Sequence, residues 1–349
     1  MIREGIQRLV EGYNLSSVES EGIMSEIMTG KTSNAQMAAF LTALRMKGET
    51  VDELAGFAKV MRRHCKQIHP KVQGRLIDTC GTGGDKQKTF NVSTAAAFVT
   101  AGAGVSVAKH GNRAVTSSSG SADVLEELGV NLALDASAVE GVIEQVGIGF
   151  MFAPAFHPAM KYVAETRREI GIRTVFNVLG PLTNPAGATA QVLGVYDGKL
   201  VEPLAYTLQK MGSEEAIVVH GEDGLDELST VGKTLVARLK GGKVAVSEMS
   251  PEDFGIKRAT IADLQCASVD ESAQTIFKIL NSKETGAKAD IVLVNAAAGI
   301  LVSGKAISFA EGMELAQKSI TSGAAYSKLR SLVELSGGDM QKLEVFERA

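Results

Sequence analysis

The chain has 349 residues, a formal net charge of -4 and a hydrophobic content of 45%. A chain of this length can bury one large core or two smaller ones. The charge excludes a basic field over the whole surface, so we expect no nucleic-acid partner, and any phosphate must be bound by local groups. The three cysteines, Cys65, Cys80 and Cys266, are widely spaced. They predict reduced thiols rather than a disulfide or zinc framework.

Neither export nor a membrane partner is predicted. Residues 1–8 carry charges where a signal peptide needs an apolar core, which favours a cytoplasmic protein. The most apolar stretches, around residues 95–108 and 291–302, are short and contain Gly, Ala, Ser or Asn. Such stretches are too short to cross a bilayer, so we expect them to be buried elements of the fold.

The first seventy residues carry repeated helix signals. Ser33 with Gln36 forms a possible capping box, and apolar residues at helical spacing follow it until Gly48. Thr50 with Glu53 repeats this signature before a second apolar stripe. The pattern predicts a small helical domain over residues 1–70.

From about residue 74, short apolar runs alternate with helical patterns. The runs at residues 76–77, 105–108, 216–219 and 290–294 predict buried strands, and those at 122–128 and 272–280 predict helices. This alternation indicates an α/β layer structure. We expect a large domain over residues 71–164 and 191–349. A polar helix at 161–171 and an ordered turn at 180–185 then belong to a segment, about 165–190, that returns to the helical domain.

A glycine-rich loop at residues 81–85 follows the first predicted strand and precedes a helix that opens at Asn91. A backbone with few side chains can curl its N–H groups around an anion, and a helix N-terminus adds favourable charge. The helix opening supplies further hydroxyl and amide groups from Thr89, Asn91, Ser93 and Thr94. The loop therefore predicts a phosphate cradle, although turns that need glycine are the simpler alternative. Asp85 fits a cradle by accepting hydrogen bonds from ligand hydroxyls, such as those of a ribose.

A second loop, residues 109–113, follows the strand predicted at 105–108. Lys109 is a point charge for phosphate and Arg113 a planar fork, although either could be a surface cation. His110 would usually be a packed imidazole, but its place between Lys109 and Gly111 favours a role in the site. The hydroxyl-rich run at residues 116–121 is either a flexible linker or a source of further phosphate contacts.

Two sets of charged neighbours remain ambiguous from spacing alone. Asp226 and Glu227 follow the strand predicted at 216–219 and a turn. They are either a solvated acidic pair or ligands of a Mg²⁺ ion shared with a pyrophosphate. Arg167 and Arg168 could bind a substrate carboxylate or form surface ion pairs. Because ligand loops lie beyond the carboxyl ends of strands in such sheets, we expect the loops at 81–85, 109–113 and 226–227 to converge on one cleft.

Common nucleotide and hydrolase signatures are not met. Residues 299–306 approach a P-loop but end in Ala306, where a hydroxyl is needed for magnesium. No G-x-G-x-x-G follows a predicted strand, and no G-x-S-x-G nucleophile elbow is present. Kinase, dinucleotide and serine-hydrolase chemistry are therefore not supported.

Taken together, these segments resemble the anthranilate phosphoribosyltransferase family of tryptophan biosynthesis. The matching stretches, in the order of the family, are residues 78–85, 89–95, 109–115, 120–125, 172–174, 177–185 and 224–227. The resemblance implies a homodimer with a small helical domain and a large α/β domain. That domain is similar to nucleoside phosphorylases and has a central mixed, mainly parallel sheet flanked by helices.

The resemblance also implies the reaction. The 5-phosphoribosyl group of 5-phosphoribosyl 1-diphosphate (PRPP) is transferred to the amino group of anthranilate, with release of diphosphate and with Mg²⁺ as cofactor. This is the second step of tryptophan biosynthesis from chorismate. No covalent nucleophile is implied, and orientation and electrostatics fall to Lys109, His110 and Arg167.

The family's site residues map onto this chain position by position. For PRPP they are Gly81, Gly84, Asp85, Thr89, Asn91, Val92, Ser93, Thr94, Lys109, His110, Gly111, Asn112, Arg113, Ser117 and Ser121. For anthranilate they are Gly81, Asn112 and Arg167, and for Mg²⁺ they are Ser93, Asp226 and Glu227. Residues 116–118 depart mildly from the small-residue run common in the family.

Two alternatives stay open at this point. A pyrimidine nucleoside phosphorylase shares the fold class, and its phosphate-dependent release of thymine from thymidine would distinguish it. A non-catalytic relative that binds nucleic acid is the other alternative. The net charge of -4 and the complete set of motif residues argue against the second.

Overall fold

The structure of the chain is a computed structural model that describes residues 1–83, 87–114 and 119–348. The predictions for Gly84, Asp85 and Ser117 lie outside the described residues. The described part comprises a small helical domain at the N-terminus and a large α/β domain, which confirms the predicted fold class.

The N-terminal domain consists of four helices, α1 (Ile2–Val10), α2 (Ser17–Met28), α3 (Asn34–Lys47) and α4 (Val51–Arg63). Helices α2, α3 and α4 begin at side-chain caps. Ser33 and Thr50 both form complete capping boxes, which confirms the predicted starts of α3 and α4. Helix α3 ends at Gly48, where φ is +87°. Inside the domain, the rings of Phe40 and Phe57 pack edge to face, with centroids 6.0 Å apart.

Seven strands form a single sheet within the described residues. They are β1 (Leu76–Gly81), β2 (Ser106–Gly111), β3 (Ile148–Phe152), β4 (Ala190–Gly194), β5 (Glu215–Gly221), β6 (Thr234–Lys240) and β7 (Lys243–Met249). Their order is β3-β2-β1-β4-β5-β6-β7, parallel from β3 to β5 and antiparallel from β5 to β7. The carboxyl ends of β1, β2, β4 and β5 therefore meet at one edge of the sheet.

Helices cover both faces of this sheet. Those that precede β4 are α5 (Val92–Gly102), α6 (Ser121–Glu127), α7 (Ala136–Val146), α8 (Ala153–Phe156), α9 (Lys161–Ile170) and α10 (Phe176–Leu179). Those that follow it are α11 (Val201–Lys210), α12 (Ile261–Leu264), α13 (Val269–Leu280), α14 (Ala287–Val302), α15 (Phe309–Thr321), α16 (Ala324–Leu335) and α17 (Met340–Arg348). Helices α5 and α14 pack together in the core on one face, and α11 packs on the other face beside the helical domain.

The strand predicted at residues 290–294 is wrong, because this run lies within α14. Every residue from Ile291 to Val302 is buried, so the helix lacks the polar face that would show its period. A short, wholly apolar run does not distinguish a buried strand from a buried helix. The strands predicted near residues 76, 105 and 216 are confirmed as β1, β2 and β5.

The segment after β3 packs against the helical domain. Helix α9 contacts α2 and α3, and its buried residue Val163 shares a core with Met24 and Phe40. The predicted ordered turn is a 3-10 helix, Gly180–Thr183, which contacts α4. Arg62 of α4 donates a hydrogen bond from Nε to the carbonyl of Leu182 at 2.8 Å. The residue limits of the two domains stay a prediction.

Two further expectations concern the chain as a whole. No described helix combines the length and the apolar character needed to cross a membrane. Cys65, Cys80 and Cys266 are all free thiols.

Candidate active site

Two of the predicted loops meet at the carboxyl edge of the sheet. The backbone N–H of Gly83, just after β1, donates to Oδ2 of Asp226 at 3.0 Å. The backbone N–H of Ser93, in the first turn of α5, donates to Oε1 of Glu227 at 3.1 Å. The acidic pair is therefore connected both to the first glycine-rich loop and to the start of the helix that follows it.

Asp226 lies where two glycines leave space for it. A Cβ atom placed on Gly81 would lie 2.4 Å from Oδ2 of Asp226. A Cβ atom placed on Gly194, at the end of β4, would lie 1.5 Å from the Asp226 carbonyl oxygen. Gly81 and Gly194 are partners in the β1–β4 pairing, so both sides of this position require glycine. Sequence analysis missed Gly194, whose only signal is its place at the end of a strand.

The second loop was predicted to begin at Lys109, but β2 extends to Gly111, so Lys109 contacts this cluster from a strand. Its side chain is buried, and Nζ donates to the Thr79 carbonyl at 2.6 Å and to Oγ of Ser93 at 3.3 Å. Burial lowers the pKa of Lys109, while the nearby carboxylate of Asp78 acts in the opposite direction. The cationic group therefore lies beside Ser93, within the electrostatic reach of the acidic pair. The first loop and the acidic pair therefore meet, and Lys109 of β2 lies beside them; that the three segments line one cleft stays a prediction.

Ser93, Asp226 and Glu227 fit a Mg²⁺ site by their donor chemistry. A hydroxyl and two carboxylates are hard oxygen donors, and Mg²⁺ usually takes one or two carboxylates and completes its shell with phosphate oxygens and water. Burial raises the pKa of Asp226, and its hydrogen bond from Gly83 acts against that rise. In the ranges that the structure covers, no group of three or more His, Cys, Asp or Glu residues could hold a metal alone.

His110 follows Lys109 in the chain, and its ring packs against the ring of His157. The ring centroids are 4.9 Å apart at an interplanar angle of 50°. Both rings are buried, and Nε2 of each is without a hydrogen-bond partner among the described residues. Burial lowers the pKa of His110 to about 3 and that of His157 to about 4, so both imidazoles are neutral near pH 7. No motif in the sequence pointed to His157.

The backbone around Lys109 is held by two buried side chains that the sequence analysis did not select. The N–H of His110 donates to Oδ1 of Asp78 at 3.3 Å. Nδ2 of Asn184 donates to Oδ2 of Asp78 and to the carbonyl of Ala108, each at 2.8 Å. Asp78 is wholly buried, and this burial raises the pKa of its carboxyl group. These contacts fix the residues on either side of Lys109.

Other predicted PRPP residues surround the same edge. Thr89 forms an isolated antiparallel bridge with Gln265. Val92 is buried, and so is Thr94, whose Oγ1 has no partner within the described residues. Ser121 opens α6, and its Oγ donates to the Asn112 carbonyl at 3.4 Å. A Cβ on Gly111 would lie 2.2 Å from this Oγ, so the second loop and the start of α6 are in close contact.

Arg113 points to carboxylates rather than into an open cradle. Its Nη1 lies 3.0 Å from Oδ1 of Asp123 and 2.8 Å from Oε2 of Glu126, both on α6. The guanidinium also lies 5.7 Å from the centroid of the Phe152 ring. A phosphate group would have to compete with these ion pairs, so PRPP binding by Arg113 stays a prediction.

The two arginines of α9 differ in their surroundings. Arg167 is half-buried, its guanidinium lies 5.6 Å from the centroid of the Phe176 ring, and burial lowers its pKa. Arg168, next in the chain, is exposed. The structure thus separates two residues that spacing left equivalent, and it favours Arg167 as the partner of a substrate carboxylate.

The family of the chain follows from comparison with known proteins. Residues 73–326 match the glycosyl transferase family, a/b domain, and residues 3–65 match its helical bundle domain. The anthranilate phosphoribosyltransferase of Pelotomaculum thermopropionicum is 53% identical over 97% of this chain and 97% of its own length.

Solved structures give the same result. The anthranilate phosphoribosyltransferase of Thermus thermophilus is 41% identical, with a TM-score of 0.91 over 95% of this chain and 99% of that one. The enzyme of Saccharomyces cerevisiae in complex with PRPP and Mg is 30% identical, with a TM-score of 0.87 over 96% and 98%. The chain belongs to the anthranilate phosphoribosyltransferase family.

Proposed function

We propose that this chain transfers the 5-phosphoribosyl group of PRPP to the amino group of anthranilate at the carboxyl edge of its sheet, with release of diphosphate. The observation that carries this proposal is the contact of Asp226 and Glu227 with Gly83 and with the first turn of α5. Backbone N–H groups, a helix N-terminus and two carboxylates are thereby placed around one position. Such an arrangement suits a diphosphate that is shared with a divalent cation.

Charge stabilisation is the main task of this site. As the bond between the ribose carbon and the diphosphate breaks, negative charge grows on the leaving group and positive charge on the ribose carbon. Ser93, Asp226 and Glu227 would hold Mg²⁺, which would supply neutralisation of the diphosphate. Lys109 adds a fixed cation beside Ser93, at 3.3 Å from its hydroxyl. These groups are oriented before the reaction begins, so little reorganisation is needed in the transition state.

Orientation of the aromatic amine is the second task. Arg167 can bind the anthranilate carboxylate, and Gly81 and Asn112 lie at the ends of β1 and β2, where the amine would approach the ribose. The amine attacks the ribose carbon directly, so no side chain has to form a covalent intermediate. Because His110 and His157 are neutral, they add no positive charge that would oppose the cationic ribose carbon.

An assay with the purified chain tests this function. Mixing it with anthranilate, PRPP and Mg²⁺ should remove the fluorescence of anthranilate, and chelation of the metal with EDTA should stop the loss. Thymidine with phosphate serves as a matched control, and it should release no thymine. A constant fluorescence signal with folded protein, or thymine release, would contradict the proposal.

We infer also that the chain acts as a homodimer in the cytoplasm. Large apolar side chains are exposed on the helical domain, including Val10, Val18 and Met46, which suits an interface between subunits. The free thiols support a cytoplasmic location. Sedimentation equilibrium should give twice the mass of the chain, and a monomer at micromolar concentration would contradict the dimer.

A further inference from the structure

A segment from the later part of the chain is paired with the residues that lead into α5. The backbone N–H of Phe90 donates to the Leu264 carbonyl at 3.3 Å, and the N–H of Cys266 donates to the Lys88 carbonyl at 3.0 Å. Thr89 and Gln265 form the bridge between these two bonds. Residues 88–90 are therefore held by residues 264–266, which lead directly into α13.

Ser272, in the first turns of α13, continues this pairing with a side chain. It is completely buried, and its Oγ donates to Oδ1 of Asn91 at 2.9 Å. The same Oγ accepts the backbone N–H of Asn91 at 3.1 Å. Asn91 precedes α5 and is one of the residues predicted to bind PRPP. Its backbone and its side chain are thus both fixed by one hydroxyl from a distant helix.

Ser119 completes the network and decides which way the amide of Asn91 faces. Its Oγ donates to Oδ1 of Asn91 at 2.7 Å, and its carbonyl accepts from Nδ2 of Asn91 at 3.3 Å. A carbonyl can only accept, so Nδ2 has to face it, whereas Oδ1 receives both serine hydroxyls. Among the described residues, this network uses one of the two Nδ2 hydrogens and leaves the other for a ligand.

We propose that Ser272 is a positioning residue for PRPP, which acts by orienting the amide of Asn91 so that its second N–H meets a phosphoribosyl oxygen. The inference rests on the proposed function. Ser272 lies outside the motifs at residues 78–227 that were identified from the sequence, and it reaches the site through the packing of α13 against α5 and α6. Without its hydroxyl, Oδ1 of Asn91 loses one of its two donors and the Asn91 backbone N–H loses its acceptor, so Ser119 alone holds the amide and its position is less well fixed.

The Ser272→Ala variant tests this role. It should raise the KM for PRPP about five- to tenfold, with kcat and the KM for anthranilate within about twofold of the original values. Ser268→Ala is the matched control, because Ser268 caps the same helix by accepting the N–H of Glu271 at 3.1 Å. That variant should lower the melting temperature without changing the ratio of the two KM values. Ser272→Cys keeps the size with a weaker donor, should give an intermediate KM, and replaces Ser272→Ala if the latter does not fold.

A double-mutant cycle identifies the route of the effect. Asn91→Ala alone should raise the KM for PRPP, and adding Ser272→Ala should change that value less than about twofold. An unchanged KM for PRPP in folded Ser272→Ala would overturn the inference. It would also be overturned if Ser272→Ala raised the KM for PRPP by the same factor in the Asn91→Ala background as in the original chain. A third contradicting result would be an unchanged KM for PRPP in Asn91→Ala alone. Failure of the proposed function is recognised separately, because the unaltered chain would then consume no anthranilate.

Discussion

The parallel part of the sheet, from β3 to β5, and the antiparallel hairpin β6–β7 use glycine for different reasons. At the turn of the hairpin, Gly241 and Gly242 have φ values of +56° and +70°, and no atom lies within 4 Å of an added Cβ. At the carboxyl edge of the parallel part, Gly81 and Gly194 are needed because Asp226 occupies the space of a side chain. The first pair satisfies a local turn, and the second pair admits a residue from elsewhere in the chain.

This difference shows where function is concentrated. Parallel strands direct successive loops to the same edge, so β1, β2, β4 and β5 each contribute to one cluster. In the hairpin the chain reverses direction, so β6 and β7 end at opposite edges of the sheet. The outer strand β7 is mostly exposed. We therefore expect substitutions at the parallel edge to affect catalysis, and equivalent substitutions in the hairpin to remain local.

The largest effect is expected from the acidic pair. Asp226→Asn combined with Glu227→Gln should lower kcat by at least about a hundredfold, because the carboxylates that hold Mg²⁺ are lost. Glu248→Gln in β7 removes only an exposed ion pair with Lys233 and should keep kcat within about twofold. Steady-state kinetics over a range of Mg²⁺ concentrations measures both. Full activity of the folded double variant would remove the metal role.

Replacement of Gly194 should have the next largest effect. In Gly194→Ala the new methyl group would lie 1.5 Å from the Asp226 carbonyl oxygen, so this backbone has to move. We expect kcat to fall about tenfold or more and stability to fall by about 1–3 kcal/mol. Gly141→Ala, within α7, is the control, since its nearest neighbour would be 3.7 Å away. It should raise stability by up to about 1 kcal/mol. Urea denaturation measures the stability of both variants, and steady-state kinetics measures kcat. Equal changes in the two variants would contradict the close contact between Gly194 and the Asp226 backbone.

Arg167→Ala should change recognition of one substrate only. The KM for anthranilate should rise about tenfold, while the KM for PRPP stays within about twofold, because a single charge-assisted contact is lost. Arg168→Ala, on the exposed side of α9, is the matched control and should leave both constants nearly unchanged. Equal rises of the two constants in Arg167→Ala would show that the arginine does not bind the carboxylate.

The smallest effect concerns the dependence of stability on pH. Burial lowers the pKa values of His110 to about 3 and of His157 to about 4. The unfolded chain therefore binds protons that the folded chain does not, below about pH 6.5. Above that pH, the contribution of the two neutral imidazoles to the free energy of unfolding should be fully present. It should fall as the pH decreases, by at most about 1.4 kcal/mol per pH unit for each imidazole. His157→Gln should reduce the slope of the free energy of unfolding against pH between pH 6 and 4.5, as measured by urea titrations. An unchanged slope would contradict the conclusion that the folded chain holds His157 in its neutral form.

Local signals in the sequence predicted much of the fold. Capping boxes at Ser33 and Thr50 located two helices, because the cap and its partner lie three residues apart. The run in α14 was assigned to a strand, because burial on all sides removed the polar face that shows helical periodicity. The sequence therefore predicts an element correctly where residues within that element, such as a capping box, mark its type and its start.

The site was predicted only as far as its loops. Glycines and charged residues after strands pointed to the carboxyl edge of the sheet, where Asp226 contacts Gly83 and Glu227 contacts Ser93. His157, Gly194 and Ser272 were missed, since each acts on a residue that is distant in the chain. Such partners depend on tertiary packing, which no local pattern reports.

The central claim is that the diphosphate and its cation lie at the carboxyl edge of the parallel strands. Anomalous scattering from crystals grown with PRPP and Mn²⁺, which replaces Mg²⁺ as a scatterer, locates that cation directly. We predict a peak within coordination distance of the Asp226 and Glu227 carboxylates, next to the diphosphate. A peak at another position, with these two carboxylates free of metal at saturating PRPP, would contradict the account.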